Sequence, residues 1–145
     1  MLFRSNVVYH QQPTQVGSTH MNAKTIAVLL IAHGSRNPRA NNDLFSLVAR
    51  FRTRGFPITE GCFLELAKPD VLEGGRLCVE QGANIVVLLP YFLSAGVHVV
   101  DDLKGLRNDL SSSYSSVQFL LASPLGPHPI LENLLDIRQI GRAHV

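Results

Sequence analysis

The sequence predicts an α/β domain, a four-stranded parallel sheet in the order 2-1-3-4 with helices on both faces. Two observations lead there. Strand-like and helix-like patterns alternate four times along the chain, which argues for successive βαβ units. Two of the strand-like runs, Thr25–Ala32 (TIAVLLIA) and Asn84–Pro90 (NIVVLLP), are apolar without alternation and rich in Val, Ile and Leu, as strands covered on both faces are. Right-handed crossovers then restrict the topology and place a switch point between the first and third strands.

The elements follow in order. The first strand is 25–32. Leu44, Leu47, Val48 and Phe51 share one helical face within Asn41–Arg54, and Gly55 and Pro57 end that helix. Ile58–Leu66 is the second strand. Pro69 fits the first position of a second helix that stops at Gln81-Gly82. The third strand is 84–90. Val99–Leu110 is the third helix, with Asp101 and Asp102 in its first turn, where acids suit the helix dipole. Ser111–Ser116 is a polar turn, Val117–Ala122 the fourth strand, and Pro129 opens a short final helix, Ile130–Ile137.

Composition narrows the function. At 145 residues, with 46% hydrophobic and 17% charged residues, the chain can bury one sizeable core. The net charge of +2 comes from Arg4 and Lys24; beyond residue 24, 11 basic residues face 11 acidic ones. That balance offers no basic stripe for nucleic acid. Cys62 and Cys78 are too few for a disulfide framework and read as buried thiols in a reducing, cytoplasmic setting. No apolar run reaches the roughly 20 residues of a membrane span. Residues 1–24 read as a tail or an upstream mis-start, with translation beginning at Met21. Residues 25–139 form the domain. Residues 140–145 (IGRAHV) resemble translated sequencing adapter and read as non-native read-through, so His144 carries no functional weight, nor do His10 and His20 in the tail.

Loops at the carboxyl ends of parallel strands share one edge of the sheet, and ligands bind there. Three segments meet at that edge: His33-Gly34-Ser35-Arg36, Phe63–Pro69 with Glu65, and Leu93–His98. Two imidazoles and a carboxylate suit an open first-row metal site, and the same trio can accept protons. Each residue also has a plainer reading. A histidine at a strand end is often a satisfied polar residue, Glu65 a solvated edge residue or helix cap, and Ser35 and Arg36 caps of the first helix. Tyr91, Phe92 and Leu93 read as core, Gly34 and Gly96 as turn glycines, and His128 as part of a helix start. The functional reading draws its force from the joint placement of His33, Glu65 and His98.

These residues carry a resemblance. Ala32-His33-Gly34-Ser35-Arg36, Phe63-Leu64-Glu65 with Pro69, Leu89–Val99 (LPYFLSAGVHV) with Asp102-Leu103, and Pro124–Pro129 (PLGPHP) together resemble the class II chelatases, in particular the small CbiX/SirB-like sirohydrochlorin chelatases. The likeness covers roughly Ile26–Leu135, and the ordered combination carries it. It implies a chelatase-like, flavodoxin-related fold and insertion of a divalent metal (Co²⁺, Fe²⁺ or Ni²⁺) into sirohydrochlorin, on the routes to cobalamin or sirohaem. The metal is then a substrate, with no permanently bound cofactor, and short members pair as homodimers. His33 and His98 are implied as the pair that binds metal and takes the pyrrole protons, with Glu65 as partner acid. Ser35, Arg36, Tyr91, Leu93, Ser94, Gly96 and Val97 are the implied substrate contacts. The family often has Leu or Ile where Tyr91 stands and Gly where Val97 stands.

Other classes fit less well. A histidine phosphatase expects Arg before the histidine, where Ala32 stands. A dinucleotide site expects GxGxxG after the first strand, and a receiver an acidic cluster there; neither is present. The standing alternative is a non-enzymatic flavodoxin-like module that binds metal or tetrapyrrole.

Overall fold

The computed structural model describes residues 23–141, with the side chains of the last two left aside. Strands β1 (Ile26–Ala32), β2 (Thr59–Phe63), β3 (Ile85–Pro90) and β4 (Gln118–Leu121) alternate with helices α1 (Pro38–Thr53), α2 (Val71–Glu80), α3 (Val97–Ser113) and α4 (Pro129–Gly141). All strand pairs are parallel, in the order β2-β1-β3-β4. The switch point lies between β1 and β3, whose registers run from Ile26 opposite Ile85 to Ile31 opposite Pro90. Most of the tail at 1–24 and the last four residues of the 140–145 segment lie outside the described residues.

Side chains alternate across β1 and seed two cores. Ala27, Leu29 and Ile31 pack with Cys62, Cys78, Val86, Leu88, Leu103, Leu110 and Phe119 on the face that α2 and α3 cover. Val28 and Leu30 pack with Leu44, Val48 and Phe63 under α1 on the other face. Gly74 lets α2 lie close to the sheet, because a Cβ there would stand 2.7 Å from Leu29 Cδ1 and 2.9 Å from Cys62 Cβ. Both cysteines are free and buried. Burial drives the Cys62 thiol well above the ordinary thiol range and pushes Cys78 up to about 12, so neither offers a thiolate near neutral pH.

Element boundaries differ from the sequence reading for local reasons. α1 begins at Pro38, three residues early, because Asn37 is its N-cap: the side-chain oxygen accepts the Arg39 N–H at 3.0 Å. β2 ends at Phe63 rather than Leu66, since Leu66 turns to a left-handed φ of 64°. α2 is capped by Asp70, whose Oδ1 accepts the Glu73 N–H at 2.9 Å, while the Pro69 carbonyl accepts the Phe63 N–H at 2.9 Å; Pro69 therefore precedes the helix. α3 starts at Val97 after an extended Gly96, which moves His98 into its first turn and Asp101 and Asp102 into its second. It also runs through Ser111–Ser113, the first half of the expected polar turn Ser111–Ser116; the Tyr114 N–H returns to the Leu110 carbonyl at 3.0 Å to close it.

The β3–β4 end is finished differently. α1 covers only the β2–β1 part of its face, and across the register from Val28 the chain presents Val87 and then Leu120, which is 43% exposed. α4, longer than Ile130–Ile137, has no substantial packing against another helix or strand among the described residues. Its Ile130, Leu134, Leu135 and Ile137 are exposed. No helix among the described residues is long and apolar enough to cross a membrane.

Candidate active site

The carboxyl edge is organised by β1 and β2, whose hydrogen bonding continues past the strand ends. The Leu64 N–H donates to the Ala32 carbonyl at 2.9 Å, and the Glu65 N–H donates to the His33 carbonyl at 3.0 Å. This places His33 and Glu65 side by side across the two chains. Gly34 makes the approach workable: its φ is +97°, and a Cβ there would lie 1.8 Å from the Glu65 carbonyl oxygen. Leu66, next to Glu65, is the described non-glycine residue with positive φ, a costly conformation that clusters at functional sites.

A cleft of about 510 Å³ opens beside this pair. His33, Leu64 and Glu65 form one wall, and Val99, Asp101, Asp102, Gly105, Leu106 and Asp109 of α3 form the other. Among the described residues, four carboxyl side chains and one imidazole line it, without a lysine or arginine. Such a lining attracts divalent cations and repels carboxylates. The structure thus brings His33 and Glu65 together. His98 is exposed on the first turn of α3, next to the cleft-lining Val99, but is not itself a lining residue. Among the described residues no three His, Cys, Asp or Glu side chains stand close enough to form a metal cage.

The remaining sequence-named residues fall into two sets. Ser35 is tied into the start of α1: its Oγ accepts the Asn37 N–H at 3.0 Å, and its own backbone pairs both ways with the Asn41 amide. Gly96 caps α3 without a side-chain hydrogen bond, leaving first-turn N–H groups open to an anion. Arg36 and Ser94 are exposed, and among the described residues Arg36 has no ion-pair partner. Tyr91, Leu93 (63% exposed) and Val97 (75% exposed) present apolar surface just beyond β3, as Leu66 does beyond β2. Tyr91 and Leu93 are not core, contrary to the plainer reading, because the loop after β3 rises above the sheet edge, whereas Phe92 between them does pack against the core.

The family model CbiX matches residues 27–140. The chain belongs to the CbiX family. It is 37% identical over 112 residues to the chloroplastic sirohydrochlorin ferrochelatase of Arabidopsis thaliana, covering 77% of this chain and 50% of that protein. It is 31% identical over 107 residues to the sirohydrochlorin cobaltochelatase of Saccharolobus islandicus, covering 70% of this chain and 83% of that one. The crystal structure of the sirohydrochlorin chelatase SirB from Bacillus subtilis subspecies spizizenii, in complex with cobalt, superposes with a TM-score of 0.71 at 26% identity, over 83% of this chain and 52% of SirB. This CbiX-family chain therefore spans about half the length of the Arabidopsis and Bacillus proteins and most of the Saccharolobus one.

Sequence reasoning missed the acidic wall of this CbiX-family site. Val99, Asp102, Leu106 and Asp109 recur at helical spacing along α3, and that stripe was the available signal. A helix start at Val99 makes Asp101 and Asp102 dipole acids; the start at Val97 puts them in the second turn, facing the cleft. Leu66 gave no signal, since leucine does not announce a left-handed turn.

Proposed function

We propose that this chain is a sirohydrochlorin chelatase that exchanges a divalent metal, Co²⁺ or Fe²⁺ and also Ni²⁺, for two macrocycle protons in cobalamin or sirohaem biosynthesis. The observation that carries the reading is the pairing of His33 with Glu65 on one wall of an acidic cleft at the carboxyl edge. The family membership and the names of the relatives support it.

The chemistry asks for two things. As the metal enters the macrocycle, two pyrrole N–H bonds break and their protons need acceptors; the His33 and His98 imidazoles are the proposed acceptors, with Glu65 as partner acid. The metal must also be held loosely enough to be released, and imidazoles with one or two carboxylates suit that better than thiolates. The α3 acids favour arrival of the cation from the cleft. They also turn the carboxylates of the macrocycle outward, toward Arg36, Ser35, Ser94 and the first-turn amides after Gly96. Tyr91, Leu93 and Val97 supply apolar surface for the ring. In this reading the metal is substrate and no permanent cofactor is used.

The exposed faces of α4 and of the β3–β4 sheet support a homodimer, in which a second copy covers apolar surface that a monomer leaves in water. A cytoplasmic location is proposed on the two free buried thiols, while the Arabidopsis relative is named chloroplastic.

The test is anaerobic spectrophotometry of the full chain with sirohydrochlorin, offering Co²⁺, Fe²⁺ and Ni²⁺ in parallel. Acceleration over the protein-free reaction is expected, and is expected to fall in His98→Ala. Binding of the macrocycle without acceleration by any metal would instead favour the non-enzymatic module.

A further inference from the structure

His33 lacks the usual anchor of a working histidine. A metal-binding imidazole ordinarily donates its second ring N–H to a carboxylate or carbonyl, which fixes the ring. Among the described residues no hydrogen bond reaches the His33 ring; only its backbone carbonyl is engaged, by Glu65. What meets the ring is Phe92. The two ring centroids are 4.4 Å apart, with planes tilted by 33°. This is a tilted, close ring contact.

Phe92 is itself held from two directions. Its side chain is half-buried and packs against the core under α2 and α3. Its carbonyl accepts the Leu125 N–H at 3.2 Å, and the next carbonyl, of Leu93, accepts the Gly126 N–H at 2.6 Å. The loop after β4 thus pins the loop after β3, and the pinned ring lies against the imidazole beyond β1. Leaving one face of an exposed imidazole against a fixed ring removes rotamer freedom without occupying either ring nitrogen. Both nitrogens stay available for a metal or a proton.

We propose that Phe92 is the positioning residue for His33, holding the imidazole by ring packing in place of a hydrogen bond. The inference rests on the chelatase reading for its catalytic consequence, though the contact itself does not. The test compares Phe92→Leu and Phe92→Tyr in the full chain, with thermal unfolding to confirm that both fold. For metal insertion, Phe92→Leu is expected to lower kcat by about 10- to 100-fold with KM for sirohydrochlorin little changed, as misplacement of a reacting group does. Phe92→Tyr, which keeps the ring, is expected to restore most of the rate. In parallel, NMR of the His33 carbon-bound ring protons is expected to show loss of the aromatic ring-current shift in Phe92→Leu and its retention in Phe92→Tyr. Should Phe92→Leu fold and leave both kcat and the His33 resonances unchanged, the proposal is overturned. An equal loss of rate in Phe92→Tyr, with its ring-current shift kept, would overturn it as well. If the wild-type chain inserts no metal, the chelatase reading fails separately, and NMR relaxation of the His33 ring still decides whether Phe92 holds it: faster internal motion in Phe92→Leu is expected, and unchanged motion overturns the proposal.

Discussion

The β2–β1 half of the sheet and the β3–β4 half start from similar apolar strands and end in opposite conditions. In the first half α1 and α2 close both faces, Gly74 draws α2 onto the strands, and Gly34 lets two backbones meet at the carboxyl edge. In the second half one face stays open among the described residues, and α4 carries Ile130, Leu134, Leu135 and Ile137 into solvent. The closed half is built to hold a geometry, and His33 and Glu65 stand at its end. The open half carries the surface that the proposed second copy would cover.

Matched truncations should separate the halves most strongly. Leu30, buried under α1, and Leu120, on the same face of β4, are both leucines in a strand. Leu30→Ala should cost about 2–5 kcal/mol in denaturant unfolding. Leu120→Ala should cost less than about 1 kcal/mol, in proportion to the area it actually buries. A Leu120→Ala cost equal to that of Leu30→Ala would mean that the open face is covered in solution.

The carboxyl edge comes next. Gly34→Ala should destabilise by about 3 kcal/mol, because it combines an unfavourable positive φ with a Cβ placed on the Glu65 carbonyl. A neutral result would show that the β1–β2 edge is not tightly closed.

A smaller effect belongs to the α2 cap. Asp70→Ala should cost about 1 kcal/mol. The Lys68 hydrogen bond, and then the Glu73 N–H, hold the Asp70 carboxyl below the usual carboxylate range. Because the folded state favours the ionised form, this stabilisation is present above the ordinary carboxylate pKa and is lost as pH falls through the depressed one. The acid limb of the wild-type stability curve should therefore be steeper than that of Asp70→Ala.

On the open half, Leu134→Lys should change monomer stability by no more than about 0.5 kcal/mol. Its effect should appear in light scattering as a shift toward monomer, which sharpens the contrast between holding and pairing.

Much of this was legible in the sequence. The unalternated runs around Val28 and Val87 mark the two central strands of a parallel sheet, and right-handed crossovers then lead to the strand order. The order alone leads to the expectation of His33, Glu65 and His98 at one edge; the structure pairs the first two and leaves His98 outside the cleft lining. The losses are local. Asn37-Pro38 is a cap and first helical position that a search for apolar periodicity passes over, and Asp70 displaced Pro69 as the helix start because its side chain can satisfy an N–H. An early start to α3 turned Asp101 and Asp102 from dipole acids into a cleft wall. The Phe92–His33 contact was out of reach, since it joins two loops whose meeting depends on bonds from Leu125 and Gly126. The bare face of α4 was hidden for a similar reason: apolar residues at helical spacing do not say whether a partner lies against them.

The most direct measurement is the metal-insertion rate of wild type, His33→Ala and Glu65→Gln under identical anaerobic conditions, with circular dichroism to verify the fold. If His33 and Glu65 do the chemistry at the carboxyl edge, both variants fold and the rate falls by about 100-fold or more in His33→Ala. Full activity in both folded variants would contradict that assignment and move the reacting groups elsewhere.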